Sequence, residues 1–277
     1  MKKSINIGAV PAAWPLKEKL QAIKKAGFEA VELNLAEEGF LSLTSSQEEI
    51  LAVRQQVNQA GLEIASLLAG GFWRHPLTSS DQTTRSQGEN LLKKAIEICS
   101  WLGTEALLVV PGVVGPEPQT GLVTGYDEAY QRSQECLRRA AAFAEKSRVY
   151  LCVENVWNRF LLSPLEMKRY VEEIGSPYVQ VYFDVGNVLL FGFPEMWIRI
   201  LGKLIRRIHL KDFKTGVGTG YGFCTLLEGD VNWPEVLKAL QEVGYDSYLT
   251  AEVGPYRYYP ETVLLHTSTS MDRIMGR

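Results

Sequence analysis

Along the 277-residue chain, short runs of apolar and β-branched residues alternate with longer stretches whose apolar positions recur every three or four residues. Runs of the first kind read as buried strands and stretches of the second kind as amphipathic helices. Eight strands are predicted, at 5–10, 30–35, 63–68, 106–111, 150–154, 179–184, 207–211 and 247–252. Helices are predicted at 16–25, 47–60, 85–101, 127–146, 164–174, 196–204, 233–243 and 260–275. Gly27, Gly61, Gly103 and Gly244 each stand where a helix would stop and the next strand begin, as a left-handed C-terminal cap requires. Units of roughly 35 residues repeated eight times match an α/β fold, a single (β/α)8 barrel domain over residues 1–277, since such barrels run to about 250 residues. A doubly wound open sheet is the structural alternative, but no predicted strand is followed by the Gly-rich phosphate fingerprint that would accompany it.

Composition narrows the function classes. Apolar residues make up 46% of the chain and charged residues 22%, enough to bury a large core. Lys and Arg number 29 against 32 Asp and Glu, a formal net charge of −3 that offers no bulk positive field to a polyanion, so nucleic acid is not an expected partner. No apolar run reaches the roughly 18 residues of a membrane span. Met1-Lys2-Lys3 leads into Ser4-Ile5-Asn6-Ile7-Gly8 rather than a signal-peptide core, so a soluble, cytoplasmic protein is expected. Cys99, Cys136, Cys152 and Cys224 are dispersed without a CxxC pair, which indicates neither a disulfide framework nor a zinc finger.

In a (β/α)8 barrel the chemistry sits at the C-terminal ends of the strands and in the loops that follow. Glu154 ends the fifth predicted strand, Asp184 the sixth and Glu252 the eighth, and His209 lies in the seventh. An ionisable group ending an apolar strand is costly unless it is paired or bound to a cation. Any one of the four reads equally well as a strand-end cap; together, on adjacent strands, they point to one shared divalent ion. Three carboxylates and one imidazole suit Mn2+ first, with Mg2+, Co2+ or Zn2+ also compatible.

The segments Val153-Glu154-Asn155, Phe183-Asp184-Val185-Gly186-Asn187, Ile208-His209-Leu210-Lys211-Asp212 and Ala251-Glu252-Val253 resemble those of the xylose isomerase-like barrel superfamily. They are most similar to its sugar and sugar-phosphate 3-epimerases and isomerases, such as the D-tagatose/D-psicose and L-xylulose 5-phosphate 3-epimerases. The likeness extends over essentially the whole chain, including Phe72-Trp73-Arg74-His75-Pro76 and Leu108-Val109-Val110-Pro111-Gly112. It implies that Glu154, Asp184, His209 and Glu252 bind one metal and that Glu154 and Glu252 are the acid/base pair, moving a proton through an enediolate. C3 epimerisation of a ketose, or aldose–ketose isomerisation, follows from where the proton returns. By the same resemblance a homodimer or homotetramer is expected.

Departures from the pattern bear on the substrate. Asn158-Arg159-Phe160 is followed by Leu161 where the free-ketohexose enzymes carry an acid, Asn187 replaces their histidine, and Thr215 replaces an arginine. Lys211-Asp212 resembles the sugar-phosphate branch instead. Substrate contacts are therefore expected from Asn187 and Lys211, and from Trp73 and His75 after the third strand, Trp14 after the first and Arg257 after the eighth. Packing or loop anchoring explains the tryptophans, His75 and Arg257 as well. Asp212 either orients His209 or caps a helix. Glu32 and Asn34, which alternate along the second strand, stay unassigned, and His266 reads as structural. The Gly-rich stretch 215–223 reads as a lid, a backbone-binding loop or a flexible insertion, and Glu228-Gly229-Asp230 as a turn that shapes it.

The same residues bear on three other functions. A keto-inositol dehydratase of the same superfamily would begin with the same proton abstraction. An endonuclease IV-like repair enzyme needs a histidine-rich set of several metals, which His75, His209 and His266 cannot supply. A non-catalytic sugar-binding barrel would not need four ligands.

Overall fold

The apolar runs become eight parallel strands in the computed structural model, which describes residues 1–117 and 120–277. They are β1 (Lys2–Asn6), β2 (Ala30–Leu35), β3 (Glu63–Ala69), β4 (Ala106–Val109), β5 (Tyr150–Glu154), β6 (Val179–Asp184), β7 (Ile205–Leu210) and β8 (Tyr248–Ala251). Hydrogen bonding runs from β1 through β8, β7, β6, β5, β4 and β3 to β2, and closes there on β1 as a barrel. The connecting helices are α1 (Leu16–Lys25), α2 (Gln47–Gln59), α3 (Gln82–Leu102), α4 (Tyr126–Ser147), α5 (Pro164–Ile174), α6 (Pro194–Leu201), α7 (Trp233–Glu242) and α8 (Thr262–Met275). Every residue of β4 is buried, and so are the last four of β5. Burial on both faces is why these strands read as continuous apolar runs rather than alternating ones.

The differences from the predicted elements have local causes. β1 stops at Asn6, not residue 10, because the Asn6 side chain accepts from Gly8 N at 2.8 Å and caps a 3-10 turn over Ile7–Ala9. β4 ends at Val109, just ahead of Val110-Pro111, where proline removes a ladder donor. α6 opens on Pro194 at its first turn, two residues before the predicted start, and its predicted tail is a 3-10 turn over Gly202–Leu204. Two antiparallel ribbons were not predicted: Gly115–Pro116 with Val123–Thr124, and Asp212–Phe213 with Phe223–Cys224. Strands of two residues carry no periodicity to read. Gly103 shows the expected cap, with φ 76° and its N–H bonded to the Cys99 and Ser100 carbonyls.

Packing groups the chain into two compact units, one of Met1–Leu33, Arg54–Ala65 and Phe183–Arg277, the other of Asn34–Val53 and Ser66–Tyr182. In the second, Leu67, Leu107, Leu151 and Val181 are fully buried. Tyr126, Tyr130, Phe160 and Tyr170 meet there edge to face, the closest pair of rings with centroids 5.2 Å apart. In the first, Ile5, Ile23, Ile208 and Leu249 form the fully buried centre. Toward the N-terminal ends of its strands lies Arg207, 2% exposed. Its Nε donates to the Ala65 carbonyl at 2.9 Å, its Nη1 to Ser247 Oγ at 3.0 Å, and its guanidinium lies 5.0 Å from the Tyr248 ring centroid.

Replacing Arg207 with Met would remove the Nε–H that reaches the Ala65 carbonyl. Urea unfolding of Arg207→Met is expected to show a loss of about 2–3 kcal/mol. An unchanged midpoint would contradict this role.

Candidate metal centre

The strand ends deliver four ionisable side chains. Glu154 is the last residue of β5, Asp184 the last of β6 and His209 the penultimate residue of β7. Glu252 is the first residue beyond β8, fixed there by its N–H donating to the Leu210 carbonyl at 3.1 Å. One ligand atom from each of the four lies within 4.8 Å of the others. His209 Nδ1 is 3.0 Å from Glu252 Oε2 and 3.8 Å from Asp184 Oδ2. Asp184 and His209 are fully buried, whereas the Glu252 side chain is 30% exposed, so the group opens on that side. Carboxylate oxygens and one imidazole nitrogen at this spacing could hold a hard divalent ion.

A second layer orients the imidazole. His209 Nε2 lies 2.8 Å from Glu32 Oε1, and Asn6 Nδ2 donates to the same oxygen at 2.7 Å. Asn6 and Glu32 are register partners on β1 and β2, so the sheet itself sets this bond. With Nε2–H donating to Glu32 Oε1, Nδ1 is the nitrogen that faces the carboxylates: protonated it donates toward Glu252, and deprotonated it offers a lone pair to a cation. Asp184 Oδ1 accepts the Asn187 N–H at 2.8 Å, so Asn187 supports the group through its backbone. Sequence reasoning left Glu32 unassigned. Its signal was a single acid inside the apolar run Ala30-Val-Glu32-Leu-Asn34-Leu35.

Lys211 enters the same cluster, its Nζ 2.6 Å from Glu252 Oε2 and 3.0 Å from Asp184 Oδ2. These charges work against burial. Burial raises the Asp184 carboxyl above the ordinary carboxylate range, a rise that Lys211 and His209 partly offset and the like charge of Glu252 adds to. Burial also pushes Glu252 upward, but His209 and Lys211 more than offset it and hold that carboxyl well below the ordinary range.

Asp212 does not orient His209. Its Oδ1 accepts from Phe213 N at 2.9 Å and Val231 N at 3.2 Å, and its Oδ2 from Leu227 N at 2.9 Å and Trp233 Nε1 at 3.0 Å. The orienting role belongs to Glu32, and Asp212 gathers the loop after β7. A Cβ on Gly229 would stand 2.2 Å from Asp212 Oδ1, which explains the glycine of the Glu228-Gly229-Asp230 turn. Asp230 Oδ2 accepts from Thr215 N at 2.7 Å and Oγ1 at 2.6 Å, so the Gly-rich stretch is tied down at its start.

The remaining candidates divide. Lys211 and Glu252 line a cleft of about 290 Å³ with Phe223, Cys224 and Tyr256. Trp73 and His75 line another of about 340 Å³ with Leu35, Leu43 and Leu91. Trp14 and Arg257 line neither cleft. Trp14 is half-buried in the loop after β1, its N–H donating to the Pro11 carbonyl at 3.1 Å. Arg257 is exposed, with its guanidinium 5.5 Å from the neighbouring Tyr258 ring centroid. His266 bonds Tyr256 Oη at 3.1 Å, in keeping with a structural role.

A sequence model described as xylose isomerase-like TIM barrel matches residues 20–271. L-ribulose-5-phosphate 3-epimerase UlaE of Escherichia coli (strain SMS-3-5 / SECEC) is 26% identical over 272 residues, covering 92% of this chain and 87% of its own. Among solved structures, D-psicose 3-epimerase with D-tagatose from Clostridium cellulolyticum H10 superposes with a TM-score of 0.82 at 16% identity, over 99% of this chain and 98% of that one. An L-ribulose 3-epimerase structure gives 0.82 at 18% identity, over 99% and 94%. At these identities the structural likeness carries the fold.

Four donors converge on the Asp212 carboxylate, so Asp212→Ala is expected to cost about 2–4 kcal/mol in urea unfolding. Limited proteolysis should then cut within residues 214–232. Wild-type stability with an uncut loop would contradict the assignment.

Proposed function

The chain belongs to the xylose isomerase-like TIM barrel family, and from that premise we propose that it is a divalent-metal-dependent 3-epimerase of a ketopentose 5-phosphate, built as one barrel domain over residues 1–277. The observation that carries this reading is the convergence of Glu154, Asp184, His209 and Glu252 at the ends of four successive strands. The relatives' name supports the reaction and the phosphate, and Lys211-Asp212, in place of the free-ketohexose pattern, supports the phosphate again. Mn2+ is the proposed ion, and the substrate a small soluble sugar phosphate.

The donor set fits such an ion. His209 presents Nδ1 to the carboxylates while Glu32 Oε1 accepts its Nε2–H, the arrangement a metal-binding imidazole needs. A bound divalent ion supplies positive charge that stabilises negative charge developing on the substrate's carbonyl and neighbouring hydroxyl oxygens. The protein does the rest. Glu154 and Glu252, at the ends of different strands, act from opposite faces of the substrate: one, as a carboxylate, takes the C3 proton, and the other, as a carboxylic acid, returns its proton to the opposite face. Which one begins depends on the configuration at C3. Burial of Asp184 and His209 keeps water from the side of the centre that does not face substrate.

NMR in D2O with Mn2+ and ketopentose 5-phosphates tests the reaction. Solvent deuterium should appear at C3 of both epimers, with kcat/KM at least roughly tenfold above that for the free ketoses, the equivalent of about 1.4 kcal/mol. An unsaturated product or no exchange at C3 would overturn it. Glu154→Gln and Glu252→Gln should each lower kcat by roughly 100- to 10,000-fold. Glu32→Gln should weaken Mn2+ binding by roughly 10- to 100-fold in calorimetry, and wild-type affinity would remove Glu32 from the centre.

A further inference from the structure

Lys211 is held in a place built for it. A Cβ on Gly186 would stand 2.7 Å from Lys211 Cβ and 2.9 Å from its carbonyl oxygen, so only glycine lets the β7 exit pass the loop after β6 this closely. The stem then carries Nζ to 3.0 Å from Asp184 Oδ2 and 2.6 Å from Glu252 Oε2, two of the four proposed metal ligands. The Phe223 ring, on the ribbon that Asp212 anchors, stands over the ammonium with its centroid 5.7 Å away. The lysine side chain is 19% exposed, and the cleft of about 290 Å³ lies beside it.

We propose that Lys211 is a tethered counter-cation of the metal centre: its ammonium neutralises Asp184 and Glu252 in the metal-free protein and withdraws toward the adjoining cleft when a divalent ion takes those carboxylates. The inference rests on the metal-centre reading above and adds to it a device for living without the ion. Carboxylates brought together in a largely dry place repel one another, and that repulsion opposes folding. A lysine ammonium is a compact charge on a flexible four-carbon stem, so it can fill the need and then move, which a second fixed ligand could not. Metal binding is then an exchange of one positive charge for two rather than entry into a preformed cage. The cost of displacing Lys211 weakens the ion's apparent affinity, and the benefit is a barrel that folds before it is loaded. Lys211 is in this sense a positioning residue for Asp184 and Glu252.

The test compares wild type and Lys211→Met by thermal melting without metal and by calorimetric Mn2+ titration. Metal-free Lys211→Met should melt several degrees lower and regain more of its midpoint than wild type on adding Mn2+, and it should bind Mn2+ roughly tenfold more tightly. A variant that folds only with Mn2+ supports the proposal equally, because the ion replaces the missing charge. Mn2+ affinity equal to or weaker than wild type, an unchanged metal-free midpoint, or a variant that fails to fold even in saturating Mn2+ would overturn it. Wild type that binds no Mn2+ would overturn the metal-centre reading itself, and this proposal with it.

Discussion

Like charge gathered in a dry place is the constraint from which the rest of this structure follows. The strand ends bring Glu154, Asp184 and Glu252 together around a single imidazole, and each carboxylate there lacks much of the water that would solvate it. The surroundings answer with positive charge and oriented dipoles. Lys211 stands against two of the carboxylates, Asn187 gives its N–H to Asp184, and His209 turns Nδ1 inward because Glu32 and Asn6 hold its other side. A divalent ion is the strongest answer of the same kind, and the oxygen and nitrogen set is the one such an ion prefers.

The loops beyond the strands serve that centre by being fixed. Asp212, adjacent in sequence to Lys211, spends its hydrogen-bonding capacity on backbone donors and an indole, so the segment that follows cannot drift from the β7 exit. The ribbon it anchors sets Phe223 over the lysine ammonium. Toward the strand starts, Arg207 donates to the Ala65 and Arg206 carbonyls and to Ser247 Oγ. Ionisable groups gathered at the C-terminal ends of the strands and stabilising contacts at the N-terminal ends are the division of labour expected of a (β/α)8 barrel.

Much of this was legible in the amino-acid order. Eight apolar runs, separated by helical periodicity and glycine caps, imply the barrel, and a charged residue at the end of an apolar run is visible without coordinates. Boundaries moved where a single side chain intervened, as at Asn6, which ends β1 by capping a turn. The ribbons were invisible because two residues have no period. Glu32 was ambiguous because an acid in mid-strand can face either way, and only the register of β1 with β2 puts it beside Asn6. Asp212 was read between two roles because sequence adjacency to His209 says nothing of direction. Lys211 looked like a substrate contact; its proximity to both Asp184 and Glu252 is a tertiary fact.

The deciding question is whether one divalent ion binds where those four side chains meet. Anomalous diffraction at the manganese edge from a crystal soaked in Mn2+ is the most direct measurement. One strong peak is expected, about 2.0–2.3 Å from a carboxylate oxygen of each of Glu154, Asp184 and Glu252 and from His209 Nδ1. A map without a peak at those side chains, or with manganese held by other residues, would contradict it.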